Sequence, residues 1–322
     1  MPPLRLIFMG TPELASFSLQ ALLASPDFQV IGVVTQPDRP KGRHLKLQPS
    51  PVKELALRAN LPVLQPERAR QPAFLEQLRA FQPDLIAVAA FGQILPQSIL
   101  DLPRFGCLNV HTSLLPKYRG AAPIQWAILN DESETGVTIM KMDAGMDTGP
   151  TLTQEKTPIH PEDTAETLHD RLAKMGAELL VRTIPDYVAG KIQPRPQPAA
   201  GVSNAPRIKK QDGQIAWDQP ARAIWNRVRG LVPWPAAFTS LPAQPQPHLL
   251  KIWQAEVAQA ERPEGFRGSN PGRVLQAGKS GIVVSCGRDA LRILVLQLEG
   301  GRRLTTPEFL AGHPLQPGLQ FI

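Results

Sequence analysis

The first half of the chain alternates short apolar runs with stretches of helical periodicity. The apolar runs predict buried strands at Leu4–Met9, Val30–Thr35, Leu85–Ala90 and Cys107–His111. Apolar positions at helical spacing predict helices at Glu13–Ala24 and Pro72–Phe81. This strand–helix–strand repetition is typical of a doubly wound, parallel-sheet (Rossmann-like) α/β domain. Functional groups in such sheets gather at the carboxyl ends of the strands, which is where we look for the chemistry.

A long helical pattern closes this first part. It predicts a helix over Asp163–Gly190, with Asp163 and Glu166 forming a capping box and Gly190 ending the helix. Residues 191–206 follow with four prolines and few apolar side chains. This composition predicts a linker between two domains.

The last third changes to short strand-like runs separated by Gly and Pro. These runs are Leu249–Trp253, Gly281–Cys286 and Leu291–Leu298. Their length and spacing predict a small, OB-like β-barrel. The chain is thus expected to divide into an α/β domain over 1–190, the linker over 191–206, and the barrel over 207–322.

Composition excludes several classes of protein. The 322 residues are 42% apolar and 20% charged, as in ordinary globular chains. No apolar run approaches the ~18–20 residues that a membrane span needs, and the start of the chain resembles neither a secretory signal nor an organellar leader. Two cysteines cannot form a disulfide framework or a four-ligand zinc site. We expect Cys107 and Cys286 to be buried thiols. We also expect a bacterial cytoplasmic protein that is a monomer.

The net charge of +7 is unevenly distributed. Residues 1–206 hold 20 basic and 20 acidic side chains, whereas residues 207–322 hold 15 basic and 8 acidic ones. The whole excess therefore lies in the predicted barrel. A basic second domain favours a polyanionic partner such as a nucleic acid, although the same charge could serve solubility alone.

The turn after the first strand excludes the usual nucleotide sites. It reads Gly10-Thr11-Pro12-Glu13-Leu14-Ala15, which lacks the G-x-G-x-x-G spacing of dinucleotide binding. Gln36 and Pro37 follow the second strand, where an acidic ribose ligand would stand. A Walker A motif is also missing. NAD and ATP are therefore improbable ligands through these routes.

Polar residues end the strand Cys107–His111. Because side chains alternate along a strand, Asn109 and His111 point to the same side of the sheet. An amide donor beside an imidazole can stabilise a developing oxyanion, but such a pair can also simply anchor a loop. Downstream, Asp143 and Asp147 lie in a Gly-rich turn. Two carboxylates are few for Mg²⁺ or Ca²⁺, so an Asp that accepts a proton or orients the imidazole is the better interpretation.

A basic, proline-rich segment over 36–53 follows the second strand. It holds five basic residues and one acidic residue. Its position at the carboxyl end of a strand would place it beside the active site, where it could contact a phosphate-bearing substrate. The alternative is a solvated run of charge.

One motif extends from the strand Cys107–His111 into the loop that follows. It reads Asn109-x-His111-x-Ser113-Leu114-Leu115-Pro116-x-Tyr118-Arg119-Gly120, and Asp147 follows some 36 residues beyond His111. This motif resembles that of the 10-formyltetrahydrofolate-dependent formyltransferases. The resemblance implies that Asn109, His111 and Asp147 are the catalytic trio. It also implies a folate site lined by Ser113, Leu114, Leu115, Pro116, Phe91, Gln93, Ile94 and Leu95. The implied reaction is attack of an amine on the formyl carbon of 10-formyltetrahydrofolate, which requires no metal.

Two further segments resemble the methionyl-tRNA formyltransferases within this family. The 36–53 segment is similar to their insertion that contacts the tRNA acceptor stem, which implies tRNA-binding roles for Arg39, Lys41, Arg43 and Lys46. The run from Asn226 to Phe238 is similar to the motif that opens their C-terminal barrel. The resemblance implies formylation of methionine on initiator tRNA, for translation initiation.

One residue of the barrel motif has an expected position, and two residues of the chain differ from the family's usual pattern. We expect Trp234 to belong to the barrel core rather than to serve as a base-stacking platform. Ala236 stands where the family commonly has Gly, and Thr112 stands where Ala or Gly is usual. Both departures lie next to the residues with assigned roles.

Two other classes of function remain open at this stage. A formyltransferase acting on a small amine, such as a sugar nucleotide, would give the basic segment and barrel no purpose. A non-catalytic RNA-binding module would leave Asn109, His111 and Asp147 as an unexplained coincidence.

Overall fold

The computed structural model describes residues 2–41, 46–242, 246–258 and 270–322. The chain forms two compact units. Unit 1 comprises Met1–Pro123, Glu134–Pro158 and His169–Pro206, and unit 2 comprises Ile124–Ser133, Ile159–Leu168 and Arg207–Ile322. Two short excursions of the first half of the chain thus pack with the last third.

The helices and strands of the described residues follow one another along the chain. In order they are β1 (Leu4–Gly10), α1 (Glu13–Ala24), β2 (Phe28–Val34), β3 (Arg39–Lys41), β4 (Lys46–Gln48), α2 (Pro51–Arg58), β5 (Val63–Leu64), α3 (Pro72–Phe81), β6 (Leu85–Ala89), α4 (Gln97–Leu100), β7 (Cys107–His111), α5 (Pro123–Leu129), β8 (Glu134–Lys141), β9 (Thr151–Pro158), α6 (Ala165–Val188), α7 (Ala221–Gly230), β10 (Ala237–Leu241), β11 (His248–Ala258), β12 (Val274–Gly278), β13 (Gly281–Ser285), β14 (Ala290–Leu298), β15 (Leu304–Thr305) and α8 (Thr306–Gly312). A short 3₁₀ turn, Lys210–Gly213, precedes α7.

Unit 1 is built on a sheet with the strand order β5-β2-β1-β6-β7-β8-β9. The first five of these strands are parallel, which confirms the predicted α/β fold. The pairs β7–β8 and β8–β9 are antiparallel, which the sequence pattern did not indicate. The connection from β8 to β9, residues 142–150, is too short for the crossover that a parallel pair needs, so the chain returns as a hairpin.

The strands β1, β6 and β7 form the centre of the unit 1 core, since the sheet is covered there on both faces. Consecutive residues, whose side chains point to opposite faces, are buried alike: Ile7 and Phe8 on β1 and Ile86 and Ala87 on β6 are at most 1% exposed. Near-continuous apolar strands of this kind are what a doubly covered parallel sheet requires.

Both cysteines are buried free thiols, as expected. Burial raises the pKa of Cys107 and of Cys286 from 9.0 to about 12. Since the thiolate is the reactive form, the thiolate fraction at neutral pH is lowered by about 1,000-fold. We expect neither thiol of the native protein to react with Ellman's reagent on the time scale of a free thiol. In urea both should react, and rapid labelling without denaturant would contradict this burial.

The start of α6 differs from the predicted capping box. Thr164 caps the helix: its hydroxyl accepts from the backbone N–H of Thr167, and the Thr167 hydroxyl accepts from the N–H of Thr164 at 2.9 Å. Asp163 instead accepts from the backbone N–H of His160 at 2.7 Å. The cap therefore moves one residue along the chain, because Asp163 is already used to close the preceding turn. The helix ends at Val188, and Gly190 beyond it takes a positive φ of 74°.

Unit 2 contains an antiparallel sheet in the order β10-β11-β14-β13-β12, with β15 added to β14. The last residues of the chain join its two edges. On one side Val274 of β12 donates to the Leu319 carbonyl at 2.8 Å, and on the other Ser240 of β10 exchanges backbone hydrogen bonds of 2.9 and 3.0 Å with Ile322. The predicted β-barrel is confirmed, and the terminal segment removes the exposed sheet edges.

Trp234 does not belong to the barrel core, contrary to expectation. Its side chain is 56% exposed, whereas Pro235 and Ala236 are buried. The turn between α7 and β10 directs the residues after Trp234 inward and leaves the indole outside. Ala236 has a φ of 65°, a left-handed conformation that glycine adopts without cost. This conformation gives a physical reason for the glycine that the family commonly uses there.

Candidate active site

The strand β7 carries Asn109 and His111 to its carboxyl end. It lies between parallel β6 and antiparallel β8, with His111 opposite Thr138 of β8. Asn109 and His111 are two residues apart, so both side chains project from the same face of the sheet. The structure thus places the first two predicted catalytic residues side by side at the edge where functional groups of such sheets gather.

The imidazole of His111 is held in a fixed orientation. Its side chain is only 6% exposed, and Nε2 lies 2.9 Å from the backbone carbonyl oxygen of Tyr118. Because a carbonyl oxygen can only accept, Nε2 carries a hydrogen and donates it. The other ring nitrogen, Nδ1, lies 3.6 Å from Oδ2 of Asp147. Nδ1 is therefore the ring atom that remains for a proton transfer or for a substrate oxygen.

Asp147 comes from the turn between β8 and β9 and meets His111 across the site. Its side chain is 17% exposed, and Oδ2 accepts a hydrogen bond of 2.8 Å from the backbone N–H of Gly120. The distance of 3.6 Å to Nδ1 exceeds a hydrogen bond, so the pair interacts electrostatically. The three residues of the predicted trio thus converge from two separate segments of the chain.

The other carboxylate of the same turn serves a local purpose. Oδ1 of Asp143 accepts from the backbone N–H of Gly145 at 3.1 Å and from the Thr148 hydroxyl at 2.7 Å. Within the described residues no group of three or more His, Cys, Asp or Glu side chains is arranged to hold a metal ion. Asp143 is best understood as a residue that shapes the turn and so presents Asp147.

The side-chain amide of Asn109 makes no hydrogen bond to another residue of the described part of the chain. The residue is half-buried, so the amide is neither locked in the core nor freely solvated. A half-buried amide that is not engaged by the protein can donate to a ligand oxygen at little cost. This is the property that an oxyanion donor needs.

Backbone atoms of the loop after β7 are fastened by two polar side chains that sequence reasoning missed. The Thr138 hydroxyl donates to the Ser113 carbonyl at 2.7 Å and accepts from the Leu115 N–H at 3.1 Å. Gln154 donates to the Leu115 carbonyl at 2.8 Å. The signal for Thr138 was available in part, since it is a polar residue on the buried strand opposite His111. The Ser113 hydroxyl is fully buried and donates to the Lys117 carbonyl at 2.6 Å.

The remaining folate-site predictions divide into buried and accessible residues. Leu115, Phe91 and Leu95 are 2–5% exposed. Leu114 and Pro116 are partly exposed, and Ile94 is 72% exposed. Ile94, Leu114 and Pro116 can therefore make apolar contacts with a ligand. The other three side chains are buried within the protein.

Gln93 braces the segment that carries Ile94. Its Oε1 accepts from the Ala69 N–H at 2.6 Å, and its Nε2 donates to the Pro66 carbonyl at 3.2 Å. Both ends of the amide are used by the protein. Gln93 thus has a structural function, and its place in the folate site stays a prediction.

The basic segment forms a two-stranded ribbon whose base is anchored. Strand β3 pairs antiparallel with β4, and these strands place the backbones of Lys41 and Lys46 opposite each other. Arg39 is exposed, and Arg43 lies outside the described residues. At the base, Lys53 and Gln65 donate to Asp38 at 2.7 and 2.8 Å, and these hydrogen bonds hold the pKa of the Asp38 carboxyl below its usual value. These two hydrogen bonds to Asp38 hold the base of the ribbon in place.

Comparison with known proteins matches both parts of the chain. The family model for formyl transferase matches residues 4–184, and the model for the formyl transferase C-terminal domain matches residues 207–314. Solved structures with the same fold include the sugar 3N-formyl transferase WlaRD (TM-score 0.64, 21% identity, 94% of this chain and 100% of that one). They also include HypX from Aquifex aeolicus, solved in complex with tetrahydrofolic acid (TM-score 0.63, 15% identity, 96% and 47%).

The sequence relatives are far closer than these structures. The methionyl-tRNA formyltransferase of Trichlorobacter lovleyi is 50% identical over 314 residues, which cover 98% of this chain and 96% of the relative. That of Geobacter sulfurreducens is 49% identical over 318 residues, which cover 99% and 96%. At 98–99% coverage the match spans both the α/β part and the barrel part of the chain. The chain belongs to the family of methionyl-tRNA formyltransferases.

Proposed function

We propose that the protein transfers the formyl group of 10-formyltetrahydrofolate to the α-amino group of methionine on initiator methionyl-tRNA. The observation that carries this proposal is the meeting of Asn109, His111 and Asp147 at the end of β7. It occurs in a chain about 50% identical to methionyl-tRNA formyltransferases over nearly its full length. The fold alone would be compatible with other acceptor amines, as the sugar formyltransferases illustrate.

The reaction begins when the amine nitrogen attacks the formyl carbon. A new C–N bond forms, the carbonyl oxygen becomes an oxyanion, and the attacking nitrogen acquires a positive charge that a base must relieve. Oδ2 of Asp147 is bound by the Gly120 N–H, which fixes the carboxylate beside His111. We assign to Asp147 the acceptance of the amine proton, directly or through water, and its return to the departing folate nitrogen as the old C–N bond breaks.

The oxyanion is stabilised by Asn109 and His111. The Asn109 amide is not engaged by the described protein residues, and Nδ1 of His111 is not used by the Tyr118 carbonyl. A preorganised donor of this kind typically contributes about 10²–10³ in rate. Because Nε2 already donates to the Tyr118 carbonyl, donation from Nδ1 requires a hydrogen on both ring nitrogens, and this protonated form is the one that we assign to the step.

The co-substrate is placed against the loop after β7. Leu114 and Pro116 of this loop and Ile94 after β6 offer accessible apolar side chains, whereas Leu115 and Phe91 are buried. Tetrahydrofolic acid is bound by the structurally similar HypX, and 5-N-formyl-tetrahydrofolate accompanies WlaRD. These neighbours support a folate as the formyl donor of this chain.

The acceptor tRNA is assigned to the basic segment and the barrel. The segment carries Arg39, Lys41, Arg43 and Lys46, and residues 207–322 carry the whole net charge of the chain. Because binding of nucleic acid is dominated by neutralised phosphates, both regions fit a polyanionic substrate. The proposed division is a catalytic part over 1–190, a connection over 191–206 and a tRNA-binding barrel over 207–322.

The proposed setting is the bacterial cytoplasm, with the protein acting as a monomer. No helix in the described ranges is long and apolar enough to cross a lipid bilayer. The relatives named above are translation enzymes of bacteria. A sedimentation mass near 35.3 kDa at assay concentration would support the monomer, and a mass twice as large would reject it.

The direct test is formyl transfer from 10-formyltetrahydrofolate with three acceptors: methionyl-initiator tRNA, free methionine and an amino-sugar nucleotide. We expect transfer to the charged tRNA alone. Transfer to the small amine alone would keep the catalytic trio and reject the acceptor. Binding of tRNA without any transfer would reject the enzyme and support an RNA-binding module.

Arg43→Ala tests the role of the basic segment. Losing one phosphate contact should raise the KM for tRNA by about tenfold and reduce the slope of log KM against log salt by about 1, with folate kinetics unchanged. The measurement is the salt dependence of steady-state formylation. Arg104→Ala is the matched control. Arg104 is an exposed cation that precedes the first residue of β7, whereas Asn109 and His111 lie toward the last. Unchanged tRNA kinetics in Arg43→Ala would contradict the assignment.

A further inference from the structure

The segment 195–206, which lies within the expected linker over 191–206, belongs to unit 1 and contacts the loop after β7. Arg195 exchanges backbone hydrogen bonds of 2.9 and 2.8 Å with Thr151 at the start of β9. At its other end, Arg119 donates to the Ser203 carbonyl at 2.9 Å and accepts from the Ala205 N–H at 2.7 Å. The segment is therefore fastened at both ends, and Gln197 near its start contacts the turn that carries Asp147.

Gln197 is the residue of this segment that reaches the turn. Its Nε2 donates to the carbonyls of Asp147 and Gly149, both at 2.8 Å. Its Oε1 accepts from Nε and Nη2 of Arg119 at 3.0 and 2.7 Å. Because a guanidinium only donates and a carbonyl only accepts, the amide has one possible orientation. Arg119 thus fixes Gln197, and Gln197 holds the backbone of Asp147.

The two residues that present the catalytic pair have strained backbones. Asp147 has a φ of 53°, and Tyr118, whose carbonyl holds His111, has a φ of 61°. A left-handed conformation costs a non-glycine residue about 1–2 kcal/mol and persists only where the surroundings enforce it. The segment makes a hydrogen bond with each: Gln197 donates to the Asp147 carbonyl, and the Ser203 hydroxyl accepts from the Tyr118 N–H at 2.9 Å.

The segment packs closely against the backbone of Gly120. Gly120, whose N–H binds Asp147, lies so close to the segment that a Cβ on it would stand 2.7 Å from the Ala205 carbonyl oxygen. Gly120 also has a φ of 123°. The donor to Asp147 is therefore set in position by the same segment that holds its carbonyl.

We infer that Gln197, oriented by Arg119, is a positioning residue that sets the Asp147 carboxylate against His111. This inference rests on the proposed function and deepens it, because it assigns part of the catalytic geometry to the connection between the domains. The Gln197 amide is engaged by Arg119 and by the backbone carbonyls of Asp147 and Gly149. Its effect should reach the reaction through Asp147 alone.

The decisive variant is Gln197→Glu, which keeps the shape and the acceptor for Arg119 but replaces both N–H donors by an oxygen facing two carbonyls. We expect kcat for formyl transfer to fall about 10- to 100-fold, since displacements of about 1 Å have effects of this size. The KM values for folate and tRNA should stay within about twofold, because substrate contacts are unchanged.

Gln193→Glu is the matched control in the same stretch of chain. Gln193 is exposed and donates to the Gly190 carbonyl at 3.0 Å, away from Asp147. It undergoes the same change of charge and shape, so we expect wild-type kinetics. A loss equal to that of Gln197→Glu would attribute the effect to charge in the segment and overturn the inference.

A double-mutant cycle separates positioning from general damage. If Gln197 acts through the Asp147 carboxylate, then Gln197→Glu should lower kcat less than about threefold when Asp147 is already Asn. The same fold loss in both backgrounds would overturn the inference. Circular dichroism and the thermal midpoint establish that the compared proteins are folded.

An activity-independent measurement keeps this test distinct from that of the proposed function. The ¹⁵N NMR signals of the His111 ring should shift in Gln197→Glu and stay in place in Gln193→Glu, because only the former displaces Asp147. If the wild-type protein fails to formylate methionyl-tRNA, the proposed function is rejected. The NMR signals still show whether Gln197 positions the Asp147 carboxylate. Unshifted signals in folded Gln197→Glu would overturn it.

Discussion

Replacing Asp147 by asparagine is expected to lower kcat for formyl transfer by about 10²–10⁴-fold, the range that loss of general acid–base and electrostatic catalysis covers. The asparagine oxygen can still accept from the Gly120 N–H, which lies 2.8 Å from Oδ2 in the native protein. The loop should therefore keep its shape. What is lost is the negative charge 3.6 Å from Nδ1 of His111 and the acceptor for the amine proton.

The KM values for both substrates should change less than about threefold, because no assigned substrate contact is removed. Steady-state kinetics with methionyl-initiator tRNA measure both quantities. Asp143→Asn is the control from the same turn: Asp143 is exposed, and the asparagine oxygen can keep the bonds to Gly145 and Thr148. A kcat within about threefold of the wild type in Asp147→Asn would reject this carboxylate as the catalytic one.

Replacing Phe321 by alanine is expected to lower the free energy of unfolding of unit 2 by about 3–5 kcal/mol, the usual effect of truncating a buried aromatic side chain. Phe321 is 2% exposed and stacks on Trp217 with ring centroids 5.8 Å apart. It lies in the terminal segment that joins β12 to β10, where Val274 and Ser240 bind the neighbouring residues. The cavity would therefore open at the closure of the barrel.

Tryptophan fluorescence during urea unfolding of the full chain measures this change. The five tryptophans all belong to unit 2, so the signal reports on the part that Phe321 stabilises. Ile322→Ala is the matched control, because the Ile322 side chain is 63% exposed and its backbone bonds remain. A loss below about 1 kcal/mol in Phe321→Ala would mean that the terminal segment does not close the barrel.

Much of unit 1 could be predicted because its signals are local. The strands β1, β2, β6 and β7 are continuous apolar runs, and their predicted ends agree with the structure within two residues. The short elements were missed. Ribbon strands β3 and β4 and the two-residue β5 carry too few residues for a periodicity to appear.

The proposed catalytic trio was accessible to sequence reasoning for a different reason. Asn109 and His111 lie two residues apart on a strand, so period-two alternation alone places them on one face. Asp147 was assigned to the same site only through the family resemblance. No pattern of neighbouring residues predicts that the turn after β8 lies beside the end of β7. The structure supplies that step through the Gly120 N–H and the distance of 3.6 Å to His111.

Local sequence patterns were sufficient to predict the α/β domain, the basic excess over 207–322 and the residue types of the candidate active site. These follow from periodicity, composition and short motifs, which act between neighbours in the chain. The tertiary structure alone decided that Trp234 faces outward, that residues 318–322 close the barrel, and that Gln197 holds Asp147 from 50 residues away. These features depend on hydrogen bonds and packing between distant segments. A proline-rich stretch has the same composition whether it is a free linker or the clamp of an active site, so only the positions of its partners could distinguish the two.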